Sequence, residues 1–224
     1  MSFVYRPPTE PYLKVLYHDD DIVVVDKPSG LLSVPGRLPE HQDSLMLRIL
    51  RVFPSAVVIH RLDMSTSGLM VLALNRPAMS NLARQFQERT VGKTYTAWVH
   101  GSVGNDGGLV DQPLICDWPN RPKQMVCYEH GKSAQTLWKV QKRNANQTLV
   151  TLYPITGRSH QLRVHMLYLG HVILGDQLYA RGNALTGASR LQLHATTIQF
   201  THPTTAQTVS FDSPAEHALE FLNP

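Results

Sequence analysis

The stretch Val57-Val58-Ile59-His60-Arg61-Leu62-Asp63-Met64-Ser65-Thr66-Ser67-Gly68-Leu69-Met70-Val71-Leu72-Ala73-Leu74 sets a polar loop between two short apolar runs. Brief, continuous runs of Val, Ile and Leu bounded by turn residues read as buried strands. Ser, Thr and Gly around Asp63 supply hydroxyls, amides and a tight turn that hold a carboxylate in one orientation. An anchored acid is a nucleophile or a base. The same pattern also suits an Asp that only caps or bridges its loop.

Working outward, further strand-like runs lie at Ile22 to Val25, Thr94 to His100, Thr148 to Tyr153, Leu191 to Phe200 and Thr208 to Phe211, punctuated by Gly, Pro and Asn. Three helices are expected. One covers Ser44 to Val52. A second follows Pro77, where Met79, Leu82, Ala83 and Phe86 repeat on one face. The third opens at Ser159, which caps it, carries Leu162, Met166 and Leu169 as its apolar stripe, and stops at Gly170. This irregular order predicts an α+β fold, a mixed and mostly antiparallel central sheet with flanking helices and loops. Residues 1–224 read as a single domain with a short extension over about residues 1–14. The segment Gly101 to Pro113 reads as a long surface loop, with a hinge between lobes as the other reading. The loop Gly30 to Pro39 carries Arg37, which could reach a ligand.

The chain has 224 residues, 42% hydrophobic and 17% charged, enough to bury a core without staples. No uncharged apolar run approaches the roughly 18 residues of a membrane helix, and the start lacks a signal peptide's apolar segment. A cytoplasmic protein is expected. Its two cysteines, Cys116 and Cys127, make neither a CxxC pair nor a Cys-based zinc site and read as packing residues. The net charge of +4 hints at a polyanionic partner, and its distribution sharpens the hint. From Ser44 to Gln87 there are five arginines and one acid, Asp63; from His130 to Gly175 there are six Lys or Arg and no acid. Solvated faces would explain Lys139, Lys142 and Arg143, and a basic groove suits nucleic acid.

A second constellation is Thr156-Gly157-Arg158-Ser159-His160-Gln161-Leu162-Arg163-Val164-His165. Gly157 and the first amides of the helix favour an anion, and His160 and Arg163 share a face at i, i+3. A metal site is not expected, because His160 and His165 miss the HExxH spacing and no acid is near. The phosphate-loop and serine-hydrolase motifs are absent.

Four ordered motifs now stand together: Lys27-Pro28-Ser29-Gly30-Leu31, His60-Arg61-Leu62-Asp63-x-x-Thr66-Ser67-Gly68, Lys93-x-Tyr95 and Gly157-Arg158-x-His160-Gln161-Leu162-Arg163-x-His165. Over about 140 residues this resembles the RluA family of RNA pseudouridine synthases. The stretch Leu114 to Tyr128 is similar to that of members that modify both 23S ribosomal RNA and transfer RNA. The resemblance implies a pseudouridine synthase catalytic fold with a basic cleft, here without the amino-terminal S4 module that many relatives carry. It implies an isomerase that turns loop uridines of 23S rRNA and of the tRNA anticodon stem-loop into pseudouridine, as a monomer, with no cofactor, no metal and no membrane.

By the same resemblance Asp63, Tyr95 and Arg163 are the catalytic residues. Asp63 attacks C6 of the base or C1′ of the ribose, or deprotonates C2′ to give a glycal. Arg163 pairs with Asp63 and keeps it ionised. The ring of Tyr95 stacks on the base and its hydroxyl helps remove the C5 proton. The target base must be flipped out, and Arg61 fills the gap or holds the phosphate. Arg158 contacts phosphate, and His60 and Arg37 are counted with the RNA-binding residues. The competing reading is an RNA-binding or chaperone protein of the same fold without turnover.

Overall fold

Among the described residues, apolar, β-branched runs separated by Gly, Pro and Asn become twelve strands, β1 to β12, and four α-helices, α1 to α4, stand with them in chain order. The structure, a computed structural model, describes residues 4–215 and 219. Its class is α+β with a mostly antiparallel sheet, as expected. Two compact units divide the chain: residues through Gly92 with Ala195–Ser213, and Lys93–His194 with the residues from Pro214 on.

In the first unit β1 (Val15–His18), β2 (Ile22–Lys27), β4 (Ser67–Ala73) and β11 (Leu193–Thr201) are neighbours in that order. β12 (Thr208–Asp212) lies on β11, and the two-residue β3 (Val57–Val58) lies on β4. β4 is buried at every position, which is what a continuous apolar run requires of its surroundings. Its antiparallel register with β2 sets Lys27 opposite Gly68 and Val24 opposite Val71. Ile22, Val24, Leu69, Val71, Ile198 and Phe200 form the core, closed by Ala78 and Leu82 of α2 (Arg76–Glu88).

Asn75 caps α2 by accepting the Ala78 amide at 2.9 Å. The buried face differs from the expected one, for Ala83 is exposed and Gln85 is buried. The Gln85 carboxamide accepts the Thr201 amide at 2.9 Å and donates to the Thr201 carbonyl at 2.7 Å. It continues the strand pairing of β11 with a side chain, which is why a polar residue sits inside. α1 (Leu45–Leu50) is capped by Ser44, whose hydroxyl accepts the Leu47 amide. Arg48 of α1 belongs to no groove: it is buried, forms a two-pronged pair with Asp43, and donates to the Tyr12 carbonyl.

In the second unit β5 (Gly92–His100), β10 (Gln147–Pro154), β9 (Gln135–Arg143) and β6 (Gly107–Asp111) are antiparallel neighbours in that order, and β7 (Leu114–Cys116) pairs with β8 (Gln124–Val126). Ala97, Val99, Val150, Leu152, Met166 and Ile173 are its main core. The expected loop from Gly101 to Pro113 therefore contains a strand. Its Gly107-Gly108 pair has low strand propensity, but it leaves room for Trp138 of β9: a Cβ at Gly108 would lie 3.2 Å from the indole nitrogen.

α3 (Gln161–Tyr168) starts after the expected cap. Residue His160, at φ 53, is the cap position, and Ser159 makes no capping bond. Gln161 serves instead: its Oε1 accepts the Arg158 amide at 3.0 Å and the Thr156 hydroxyl at 2.7 Å, and its Nε2 donates to Gln135 O and Thr136 Oγ1. A carboxamide reaches further than a serine hydroxyl and ties the helix start to β9 at the same time. α4 (Asn183–Thr186) is a single turn. Cys116 and Cys127 are both free thiols.

Candidate active site

The loop between β3 and β4 carries Asp63, half-buried. Four successive carbonyls of this loop accept hydrogen bonds: Leu62 from Ser33 Oγ at 2.7 Å, Asp63 from the Thr66 amide at 3.1 Å, Met64 from Lys27 Nζ at 3.0 Å and from the Gly30 amide at 2.8 Å, and Ser65 from Ser29 Oγ at 2.7 Å. The backbone under the carboxylate is thus held at every residue, and four of the five holding groups come from Lys27 to Ser33. That is the physical work of the Lys27-Pro28-Ser29-Gly30-Leu31 motif.

Lys27 is fully buried. A buried ammonium must give its donors to acceptors, and Nζ also donates to Pro28 O at 2.9 Å and Leu31 O at 2.8 Å. Where the loop enters β4, Gly68 has φ +112, and a Cβ there would stand 2.3 Å from the Ala195 carbonyl oxygen. Only glycine fits this approach of two backbones.

Of the expected RNA contacts in this unit, Arg61 and Arg37 are exposed. His60 is engaged inside the unit: its Nε2 accepts the Val71 amide at 3.1 Å and its ring stacks on Phe86 with centroids 4.5 Å apart.

In the second unit Tyr95 lies on β5 opposite Leu152, half-buried, with its ring packed against the core. Arg163 of α3 is buried and forms a two-pronged pair with Asp176, which has no exposed surface. Asp176 Oδ1 also accepts the amides of Leu178 and Tyr179. The guanidinium carbon of Arg163 stands 5.1 Å from the centroid of the Tyr179 ring, and the Tyr179 hydroxyl bonds His160 Nδ1 at 2.8 Å. His160 and Arg163 do share a face, therefore, and Tyr179 is what they share. Arg158 is exposed and donates through Nε to Ser133 O at 3.0 Å.

His165 lies one turn beyond the helix start, fully buried between Thr136 Oγ1 at 2.9 Å and the Gln112 carbonyl at 3.1 Å. Burial pushes its pKa below 6.5, against smaller opposing effects from the bond to Gln112 and the charge of Asp111.

Asp176 and Tyr179 went unread in the sequence. The acid-free run that marked the basic segment ends at Gly175, and the next residue is the acid that neutralises Arg163. The signal was the glycine before it: Gly175 has φ +68, and a Cβ there would meet Arg190 O at 2.0 Å.

Chemically, the first unit presents a carboxylate on an immobilised backbone, and the second an arginine of fixed orientation and a tyrosine on a strand. Among the described residues one group, Asp19, Asp21 and His202, brings potential metal ligands within 4.8 Å of one another. Its atoms already serve each other and the turn after β1. Asp19 accepts the Tyr17 hydroxyl, the His202 Nε2 proton and the amides of Asp21 and Ile22, while His202 Nδ1 accepts the amides of Thr204 and Thr205. The group reads as a clasp between two turns.

The sequence profile described as RNA pseudouridylate synthase matches residues 21–168. The chain is 59% identical over 213 residues to the dual-specificity RNA pseudouridine synthase RluA of Salmonella typhi, covering 95% of this chain and 97% of that one. It is 56% identical over 204 residues to the protein of the same description from Vibrio vulnificus, covering 89% and 82%. Among solved structures, Human RNA Pseudouridylate Synthase Domain Containing 1 superposes with a TM-score of 0.77 at 29% identity, covering 93% of this chain and 86% of that chain.

Proposed function

The chain belongs to the RNA pseudouridylate synthase family, and from that membership we propose that it forms pseudouridine in 23S rRNA and in the tRNA anticodon stem-loop with Asp63 as its nucleophile. The observation that carries the assignment is the clamp on the loop from Leu62 to Ser65, which holds the half-buried Asp63 on a backbone bonded at each residue. Such rigidity serves a group that must meet one atom of a flipped base. The dual-specificity description of the relatives supports the pair of substrates.

In this isomerisation the bond from N1 to C1′ breaks, the base turns, C5 joins C1′, N1 takes up a proton and C5 releases one. Attack at C6, attack at C1′ and passage through a glycal all end in that same loss from C5. Tyr95 stacks on the base and its hydroxyl helps remove the C5 proton, and Arg163 pairs with the Asp63 carboxylate. Arg61, Arg158, Arg37 and His60 belong to the RNA-binding set, Arg61 taking the place of the flipped base. The enzyme works in the cytoplasm as a monomer. Among the described residues no helix is long and apolar enough to cross a membrane.

The test uses an anticodon stem-loop and a 23S rRNA stem-loop carrying tritium at C5 of uridine. Wild-type protein is expected to release tritium from both with no added cofactor. Asp63→Asn keeps the shape of the side chain and removes its charge, so it should bind both RNAs and release nothing. Release above about one per cent of wild type would take the nucleophile role from Asp63, since losing a nucleophile costs several orders of magnitude. Binding by wild-type protein with no release would return the non-catalytic reading.

A further inference from the structure

The second unit holds an aromatic side chain that its core does not use. β7 and β8 form a hairpin whose tip is closed by bonds from Asp117 N to Lys123 O, from Asn120 N to Asp117 O and from Lys123 N to Asn120 O. The Asn120 carboxamide also donates to both Asp117 oxygens, at 3.1 and 3.0 Å. On this fixed tip Trp118 is 64% exposed, whereas Trp98 and Trp138 are 3% and 7% exposed. The guanidinium carbon of Arg121 lies 4.0 Å from the Trp118 ring centroid.

An indole is the largest apolar surface a side chain offers, and leaving one in water on an ordered turn forgoes its burial. One acid, Asp117, stands against Arg121 and Lys123, so the tip carries a net positive charge. A π surface with a guanidinium against it and a second cation nearby matches an unstacked base and its phosphate. The hairpin is also fastened to the catalytic side of its unit. The Gln124 amide of β8 donates to the Tyr179 hydroxyl at 2.7 Å, and the same hydroxyl meets His160 while its ring lies beside Arg163.

We propose that the β7–β8 hairpin is a nucleotide-stacking arm, in which Trp118 with Arg121 receives an unpaired base flanking the target uridine and Tyr179 holds the arm in register with Arg163. The inference rests on the RNA-modifying function above and deepens it: the arm selects loops with a base free to stack.

Because Trp118 is the exposed tryptophan of the three, emission reads its contact directly. Adding the anticodon stem-loop should quench the fluorescence of wild-type protein, and Trp118→Phe should lose that quench. Trp118→Ala is expected to raise Kd and KM for the stem-loop by about 5- to 150-fold, the range of one stacking contact, with the loss carried in KM rather than kcat. Arg121→Ala should lower the steepness of log Kd against log salt by about 0.7, one phosphate's worth on a single strand. Emission unchanged at saturating RNA, or a Trp118→Ala variant that binds like wild type, overturns the arm. Tritium release on the same preparations separates the two failures, for an arm that is wrong leaves release by wild-type protein intact.

Discussion

Arg163 and Asp176 meet side-on, with Nε on one carboxylate oxygen and Nη2 on the other, each at 2.7 Å, and both side chains are out of solvent. This two-pronged geometry fixes the plane of the guanidinium as well as its position. Asp176 is in turn pinned by the amides of Leu178 and Tyr179. Asp176 thus fixes the orientation of Arg163.

Removing one partner of a buried pair strands the other charge, at about 3–5 kcal/mol. Asp176→Ala should therefore lower Tm by on the order of 10 °C. kcat, assayed below the lowered Tm, should fall while RNA binding persists. Melting curves and single-turnover tritium release check both. A variant that melts and turns over like wild type would show that the pair neither stabilises the unit nor orients Arg163.

Lys27→Met keeps the stem of the side chain and deletes three donors, leaving the carbonyls of Pro28, Leu31 and Met64 without the ammonium. The Pro28 and Leu31 carbonyls so deprived cost about 1–3 kcal/mol each, while Met64 O keeps the Gly30 amide. The variant is expected to unfold at lower denaturant and, through Met64, to loosen the loop of Asp63. Chemical denaturation gives the first effect. The rate of the chemical step at saturating RNA gives the second, and a wild-type rate would show that the clamp does not govern Asp63.

His165 yields a prediction about pH. Its folded pKa lies below the ordinary 6.5, chiefly through burial, so the folded chain resists a proton that the unfolded chain accepts. The contribution is complete above about pH 6.5 and is lost as pH falls from there toward the folded value. Tm should decline as pH falls below about 6.5, and His165→Gln should remove that part of the decline. Equal slopes for the two proteins would assign the acid sensitivity to other groups.

Tyr95→Phe separates the ring from its hydroxyl. The ring keeps its stacking surface, worth about 1–3 kcal/mol, so RNA affinity should hold while turnover is lost. If the hydroxyl takes the C5 proton, a C5-linked adduct still bearing its hydrogen should accumulate, detectable by mass spectrometry of digested RNA. Turnover near the wild-type rate would remove Tyr95 from proton transfer.

The continuous apolar runs inside β2 (Ile22 to Val25) and β4 (Leu69 to Ala73) were legible in the chain, because burial of every one of these positions leaves little other composition. β6 was not: Gly107 and Gly108 carry no side chain to display a period, and their place in the sheet is set by the indole of Trp138 from another strand. The same distinction runs through the site. Asp63 stood out as a lone acid in a basic stretch. Asp176 is separated from Arg163 by a helix and a turn, so their pairing exists only in three dimensions. The cap of α3 was misread for a local reason: the helix begins one residue later, with His160 at the cap position, and Gln161 steadies its start by bonding back to the Arg158 amide and across to Gln135 and Thr136.

The close approach of Gly68 to Ala195 has a consequence for synthesis on the ribosome. The first unit is discontinuous: β4 emerges early, but its neighbour β11 is translated only after the whole segment Lys93–His194. At roughly 5–20 residues per second, β4 waits many seconds for its partner, while Lys93–His194 emerges without interruption and can collapse first. The loop of Asp63 leads into Gly68, so a nascent or prematurely terminated chain lacks the strand that seats it. Such a chain would carry Arg163 and Tyr95 without a seated Asp63 loop, and is expected to form no pseudouridine.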